Sequence, residues 1–373
     1  MFGYVPALDG VRGIAIALVL SVHVGDEFLP GGRLGVDLFF VLSGFLITSL
    51  LVTEWHATHA ISLRAFYRRR ALRLFPALFT MLGVYVLVAS ALALSGRGDL
   101  GSSVTAAGFG ALYTYNLAAG YFGFMSEGLG HLWSLGQEEQ FYLLWPPVLL
   151  LTLLCLRARP QSLIVGLWVF VIALLAWRIW LVFGGASGAR LYTPDTHSDP
   201  ILIGCLAGLL YSFGHVTRVP REVAYFCLGT SVAIIATLVE VNSTHHMFGR
   251  PLFATAVAII LLAVSLDPRW WLTRLLTVRP LRGLGTISYG LYLWHFPIFF
   301  ALGWRLGLPI SVAVALVSYR FVELPFLRRK TRAPRAQLAP AADAAAASAA
   351  PPRRTGWPLL GSPPPNLARR HSG

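Results

Sequence analysis

The sequence predicts an all-α polytopic membrane protein with about ten transmembrane helices and both termini in the cytoplasm. Three observations predict it. Only 12% of the 373 residues are charged and 56% are hydrophobic, whereas soluble domains carry roughly 25% charged residues. The mean hydropathy is strongly positive, at +0.66. Apolar stretches recur along the whole chain, and about 20 residues suffice to cross a bilayer as a helix.

The spans fall at residues 8–28, 35–53, 74–94, 139–156, 162–183, 199–213, 223–240, 252–266, 286–303 and 305–322. An even number puts both termini on one side. The stretch 104–124, rich in Gly, Tyr and Ala, reads as a short re-entrant or interfacial element inside a long loop. With the N-terminus inside, the inner gaps hold thirteen arginines (64, 68, 69, 70, 73, 157, 159, 218, 221, 269, 274, 279 and 282). The outer gaps hold five: Arg33, Arg97, Arg190, Arg250 and Arg305. Such asymmetry sets orientation. It also accounts for the net charge of +14, because basic residues gather between spans, and so points away from nucleic-acid binding.

The first apolar stretch starts within ten residues and lacks a basic leader, so it reads as a retained span. Cys155, Cys205 and Cys227 form no CxxC pair and suggest neither a metal site nor a disulfide framework. Residues 329–373 turn to Ala, Pro, Arg and Ser, a composition with little to bury that reads as a disordered cytoplasmic tail. Residues 1–328 form the membrane domain.

Ionisable residues inside spans are costly and are functional candidates by default. In the first span, "VRGIAIALVLSVHV" places Arg12 and His23 eleven positions apart. At about 100° per residue both fall on one helical face, roughly 16 Å apart along the axis. Arg12 lies near the cytoplasmic end and His23 toward the outer half. An anion held at one end and a reacting group at the other suit an elongated, phosphate-bearing donor. The bland alternative has Arg12 snorkelling to headgroups and His23 bonding a neighbouring helix.

The second span carries Asp37 at its outer boundary and Ser43-Gly44, which permits close helix approach. In the following loop, "FYRRRALRLFPAL" sets Arg70 and Arg73 on one face, as paired guanidinium forks for phosphate. Farther on, "HLWSLGQEEQFYLLWP" places Ser134, Glu138 and Tyr142 at i, i+4 and i+8, one polar face in which Glu138 would orient His23 or act beside it as a base. A capping box at Ser134 is the simpler alternative. "TPDTHSDPILIGCLAG" offers Asp195, His197 and Asp199 before the sixth span, a weak metal pattern; no metal is expected. "SYGLYLWHFP" carries His295, read as a satisfied core histidine or an interface residue, and Arg320 and Glu323 are spaced for a mutual ion pair. Asp37, Ser134, Tyr142 and Asp199 are the acceptor-binding candidates.

Together "ALDGVRGIAIALVLSVHV", "GVDLFFVLSGFLIT", the Arg70/Arg73 pair, "HLWSLGQEEQFYLLWP", "DTHSDPILIGCLAG", "SYGLYLWHFP" and "FVELPF" resemble membrane-bound acyltransferase family 3, in the family's order from residue 5 to about 328. The family comprises bacterial O-acyltransferases that decorate surface sugars and some small molecules. The resemblance implies a ten-helix domain in the bacterial plasma membrane that takes an acyl group, usually acetyl, from cytoplasmic acyl-CoA (acetyl-CoA). By position, His23 would be the central catalytic residue, Arg12, Arg70 and Arg73 would engage the donor, and Glu138 would support the reaction. His197 stands where members often carry arginine, and "LGQEE" replaces a more usual serine-valine step; both departures bear on the acceptor. Some relatives fuse a periplasmic hydrolase-like domain. A single-domain member would act alone or pass its acyl group to a separate partner.

The expected acceptor is a hydroxyl of a cell-surface or lipid-linked carbohydrate, with a small hydroxylated metabolite such as a macrolide as the alternative. From another class, a polytopic transporter or flippase would use Arg12 and His23 as a pathway. Repeated halves or broken helices would mark one, and neither stands out in the sequence.

Overall fold

Runs of Leu, Val, Ala and Phe without interior breaks make helix, and among the described residues helix is the only regular structure. The computed structural model describes residues 4–24, 29–124, 126, 128–155, 159–186, 188–237 and 248–331. The tail from 332 and the ends of the first, fourth and seventh expected spans lie outside them.

Helix α1 (Pro6–Val22) starts at a proline on its first turn and ends with His23 as its C-cap. A 3-10 turn (Pro30–Arg33) leads into α2 (Leu34–Thr58). Helix α3 (Leu63–Leu94) begins earlier than its apolar stretch, because the Ser62 side chain caps it by accepting from the Ala65 amide. Arg68, Arg69, Arg70 and Arg73 therefore stand on helix rather than in a loop. The expected re-entrant stretch resolves into α4 (Leu100–Ala111) and α5 (Tyr115–Phe122), which meet at Tyr113 in the left-handed region (φ 55°). Then come α6 (Leu132–Cys155), α7 (Pro160–Phe183), a 3-10 turn (Gly188–Tyr192), α8 (Pro194–His197) and α9 (Asp199–Ser212). Helices α10 (Arg221–Thr237), α11 (Arg250–Leu266) and α12 (Trp271–Leu276) follow.

The last two expected spans lie on one element, α13 (Arg279–Ser318), broken at Gly303 (φ 68°, ψ 166°). It runs through a π-helical turn (Tyr319–Glu323) into α14 (Leu324–Thr331). That turn explains why Arg320 and Glu323 fail to pair: wider winding removes the i,i+3 alignment of an α-helix. Arg320 instead lies over the Phe321 ring at 5.7 Å, and Glu323 is buried, with Oε1 lacking a hydrogen-bond partner.

By length and composition, four segments among the described residues are apolar enough to cross a membrane: Gly31–Thr58, Leu63–Leu94, Pro160–Phe183 and Arg279–Arg329. Asp199–Ser212 and Arg250–Leu266 are shorter apolar helices. Large apolar side chains such as Leu87, Leu143, Val169 and Phe183 face outward. The interior, by contrast, holds Asp37, Arg178, Asp199, Arg250 and His295. Apolar outside with paired charges inside is the arrangement lipid imposes.

The most extensive contacts are α2 with α9 and α1 with α13. Both depend on backbone-to-backbone approach. A Cβ on Gly44 would overlap the Ile201 carbonyl and one on Gly204 the Val41 carbonyl, while one on Gly13 would meet the Leu281 carbonyl. Small residues at crossings are how helices pack where burial of apolar surface gives no driving force between them. The α1–α13 crossing brings the His23 end of α1 to His295.

Candidate functional site

Two cavities hold most of the residues singled out above, and Tyr292 borders both. The first, about 730 Å³, is lined by His23, His131 and His295, by aromatic rings including Tyr115, Trp133, Tyr192 and Phe296, and by Arg33 and Arg250. His23 caps α1, and its Nδ1 donates to the Val19 carbonyl at 2.9 Å. A carbonyl only accepts, so the proton sits on Nδ1, and Nε2 carries the lone pair. That is the tautomer of a general base.

The His295 ring is 5.2 Å from His23 and 5.4 Å from His131, centroid to centroid. His295 is fully buried, with Nδ1 2.6 Å from the Tyr292 carbonyl and Nε2 without a hydrogen-bond partner. His131 stacks on Phe296 at 5.0 Å. The satisfied core histidine expected at 295 is thus half satisfied, and its free nitrogen belongs to a cavity wall. Among the described residues no group of three or more His, Cys, Asp or Glu is arranged to hold a metal ion.

The second cavity is small, about 70 Å³, and Arg12, Arg70 and Arg73 line both it and an adjoining cleft of about 480 Å³. The spacing of Arg70 and Arg73 put those two on one helical face; it is the packing of α1 and α3 that adds Arg12. Arg12 bonds Asp9 at 2.8 Å, and Arg70 lies over the Tyr142 ring at 4.4 Å. Glu138 lines the same small pocket and accepts hydrogen bonds from Ser43 and Tyr142. Three guanidiniums around a narrow pocket, with planar forks and aromatic backing, suit a phosphate-bearing ligand.

Glu138 lines the arginine pocket rather than the histidine cavity, so the expected pairing of Glu138 with His23 does not form. Their helical faces are each as expected, but packing turns the α6 face toward Ser43 of α2. Tyr142 is placed with Glu138, as its spacing required. Ser134 is buried and lines neither cavity; its hydroxyl is 2.5 Å from the Tyr292 hydroxyl and 3.2 Å from the His131 carbonyl.

The two aspartates expected at the acceptor site are committed elsewhere. Asp37 is fully buried, 2.9 Å from His197 Nε2 and 3.5 Å from Arg250. It therefore supports an arginine of the histidine cavity without lining it. Asp199 pairs with Arg178 at 2.8 Å, both 2% exposed. A buried carboxylate requires a cationic partner, and Arg178, inside the fifth expected span in the last turns of α7, was the visible signal. The Asp195, His197 and Asp199 pattern disperses completely. Asp195 turns to Arg190 at 2.6 Å and also accepts from Trp177 and Tyr121. Burial alone would raise its carboxyl, but these bonds hold it well below the usual carboxylate range.

Residues 5–321 match the family model described as an acyltransferase domain. The chain is 32% identical over 350 residues to the peptidoglycan O-acetyltransferase OatA of Listeria monocytogenes, covering 86% of this chain and 56% of that protein. It is 31% identical over 356 residues to the O-acetyltransferase OatA of Staphylococcus aureus, covering 88% of this chain and 58% of that one. The chain thus spans about half the length of the curated relatives it matches. No solved structure matches it.

Proposed function

The chain belongs to membrane-bound acyltransferase family 3, and from that premise we propose that it moves an acyl group, acetyl in the first instance, from cytoplasmic acyl-CoA to a hydroxyl of a cell-surface or lipid-linked carbohydrate. In this reading residues 1–328 are the catalytic membrane domain of ten spans in the bacterial plasma membrane, with both termini and the tail 329–373 inside. The thirteen-to-five arginine bias across the gaps supports that orientation.

One observation carries the proposal: a pocket of three arginines and a cavity of three histidines meet at Tyr292. The arginines would hold the donor's phosphates while its thioester points toward His23. In the histidine cavity an acceptor hydroxyl would give its proton to His23 Nε2 as its oxygen attacks the thioester carbonyl carbon. The carbon–sulfur bond then breaks, and the thiolate takes the proton from His23, leaving ester and free thiol. Aromatic walls with a few polar groups suit a ring-shaped, hydroxyl-rich acceptor. Glu138, held by Ser43 and Tyr142, would support the donor side by balancing the arginines.

Acyl-CoA turnover by purified protein tests this. His23→Ala should lose at least about a hundredfold in kcat, the usual worth of a general base. Arg73→Ala should chiefly raise the KM for acyl-CoA. Full activity in a folded His23→Ala variant ends the mechanism, and an unchanged KM removes Arg73 from the donor site. Labelled acyl-CoA separates an acyltransferase, which passes label to the acceptor, from a transporter, which does not.

A further inference from the structure

The donor path just proposed meets an obstruction. The arginine pocket has about 70 Å³, against roughly 300–1,000 Å³ for a pocket that encloses a small molecule. It is too small to hold an extended thioester arm. Tyr292 is the residue that lines both this pocket and the histidine cavity. Its phenol is anchored there: the hydroxyl donates to the His131 carbonyl at 2.9 Å and sits 2.5 Å from Ser134 Oγ. Ser134 Oγ is 3.2 Å from the same carbonyl, and with Tyr292 donating to that carbonyl the single Ser134 proton serves the Tyr292 oxygen. Two hydroxyls and one carbonyl, all buried, thus tie α13 to the start of α6.

We propose that Tyr292 is a movable partition between donor and acceptor compartments, locked by Ser134 and the His131 carbonyl and displaced when the thioester advances. The proposal rests on the acyl-transfer reading above. It gives Tyr292 a positioning role: it exchanges no proton with substrate, but it decides when His23 meets the thioester. The closed state keeps the large, open histidine cavity and its water away from the donor until the ring moves. It also explains why Ser134 carries a hydroxyl at a site lining neither cavity. Water activated by His23 would otherwise attack the thioester carbonyl, releasing the free acid and thiol without any acceptor.

The test is the ratio of acceptor-independent acyl-CoA hydrolysis to acyl transfer, measured for wild type, Tyr292→Phe, Tyr292→Ala and Ser134→Ala with acetyl-CoA as probe. Loosening the lock should raise that ratio about tenfold, the scale of one or two lost hydrogen bonds. Tyr292→Ala should show the largest rise and Ser134→Ala a smaller one. The added hydrolysis should vanish when His23→Ala is combined with either. A purely structural role would lower hydrolysis and transfer together and leave the ratio unchanged, which overturns the partition. If Tyr292→Ala fails to fold, Tyr292→Phe and Ser134→Ala report the same ratio. Wild-type protein that transfers no acyl group to any hydroxyl acceptor would instead defeat the underlying function. An active wild type with an unmoved ratio defeats only the partition.

Discussion

Single charged residues inside this molecule are held by partners far away in sequence. Arg178 and Asp199 meet at 2.8 Å with 2% exposure each, and removing one leaves the other as an uncompensated buried charge. Asp199→Ala is expected to cost about 3–5 kcal/mol, read as a lowered Tm of the detergent-solubilised protein. Replacing both, Arg178→Met with Asp199→Leu, should recover most of that loss. A single variant as stable as wild type would show that the pair contributes nothing. Such pairs also mark the limit of what spacing conveys. Arg70 and Arg73 could be paired because helical geometry aligns neighbours on a face, whereas Arg12 joined them only through the family resemblance. Glu138 could not be assigned to Ser43, 95 residues away, because only the packing of α6 on α2 joins them. His131 and Tyr292 went unweighed for the same reason: one sits just before α6 and the other inside α13, and neither stands out until a cavity is seen beside it.

Elements were readable where apolar length alone decides them. Over the described residues each expected span is largely helical, even where Pro76, Pro146, Pro147, Pro297 and Pro309 stand inside the helix. The boundaries depended on finer chemistry. Helix α3 starts at the Ser62 cap, ahead of its apolar run, and the divide between the last two spans is one backbone break at Gly303. Packing between elements is more demanding than their existence. At the α2–α9 crossing a side chain at residue 44 would strike the Ile201 backbone, which has no rotamer to yield. Gly44→Val should therefore destabilise by about 1–3 kcal/mol or more. Gly83 faces open space, and Gly83→Ala should be neutral or stabilising by up to about 1 kcal/mol. Thermal unfolding compares the two; equal effects would mean that the crossing is not tight.

For the whole molecule, the proposed orientation has a direct check. With Cys155, Cys205 and Cys227 replaced, Arg97→Cys should react with a membrane-impermeant maleimide in intact cells. Arg68→Cys should react only after permeabilisation. The reverse pattern would put the arginine pocket on the wrong side for a cytoplasmic donor. Orientation is settled during synthesis, and here the Arg178–Asp199 pair acquires a further meaning. Arg178 lies in the last two turns of α7, where an arginine costs less to insert than the about 2.5–3.5 kcal/mol of a helix centre, and α7 is made before the aspartate that neutralises it. The two residues are 21 positions apart, separated by a 3-10 turn and α8. Arg178 therefore stays without its neutralising partner until α9 has been made, and the charge is compensated only when α7 and α9 are both in place. The chain's order of assembly is written into a contact that, in the finished protein, touches neither cavity.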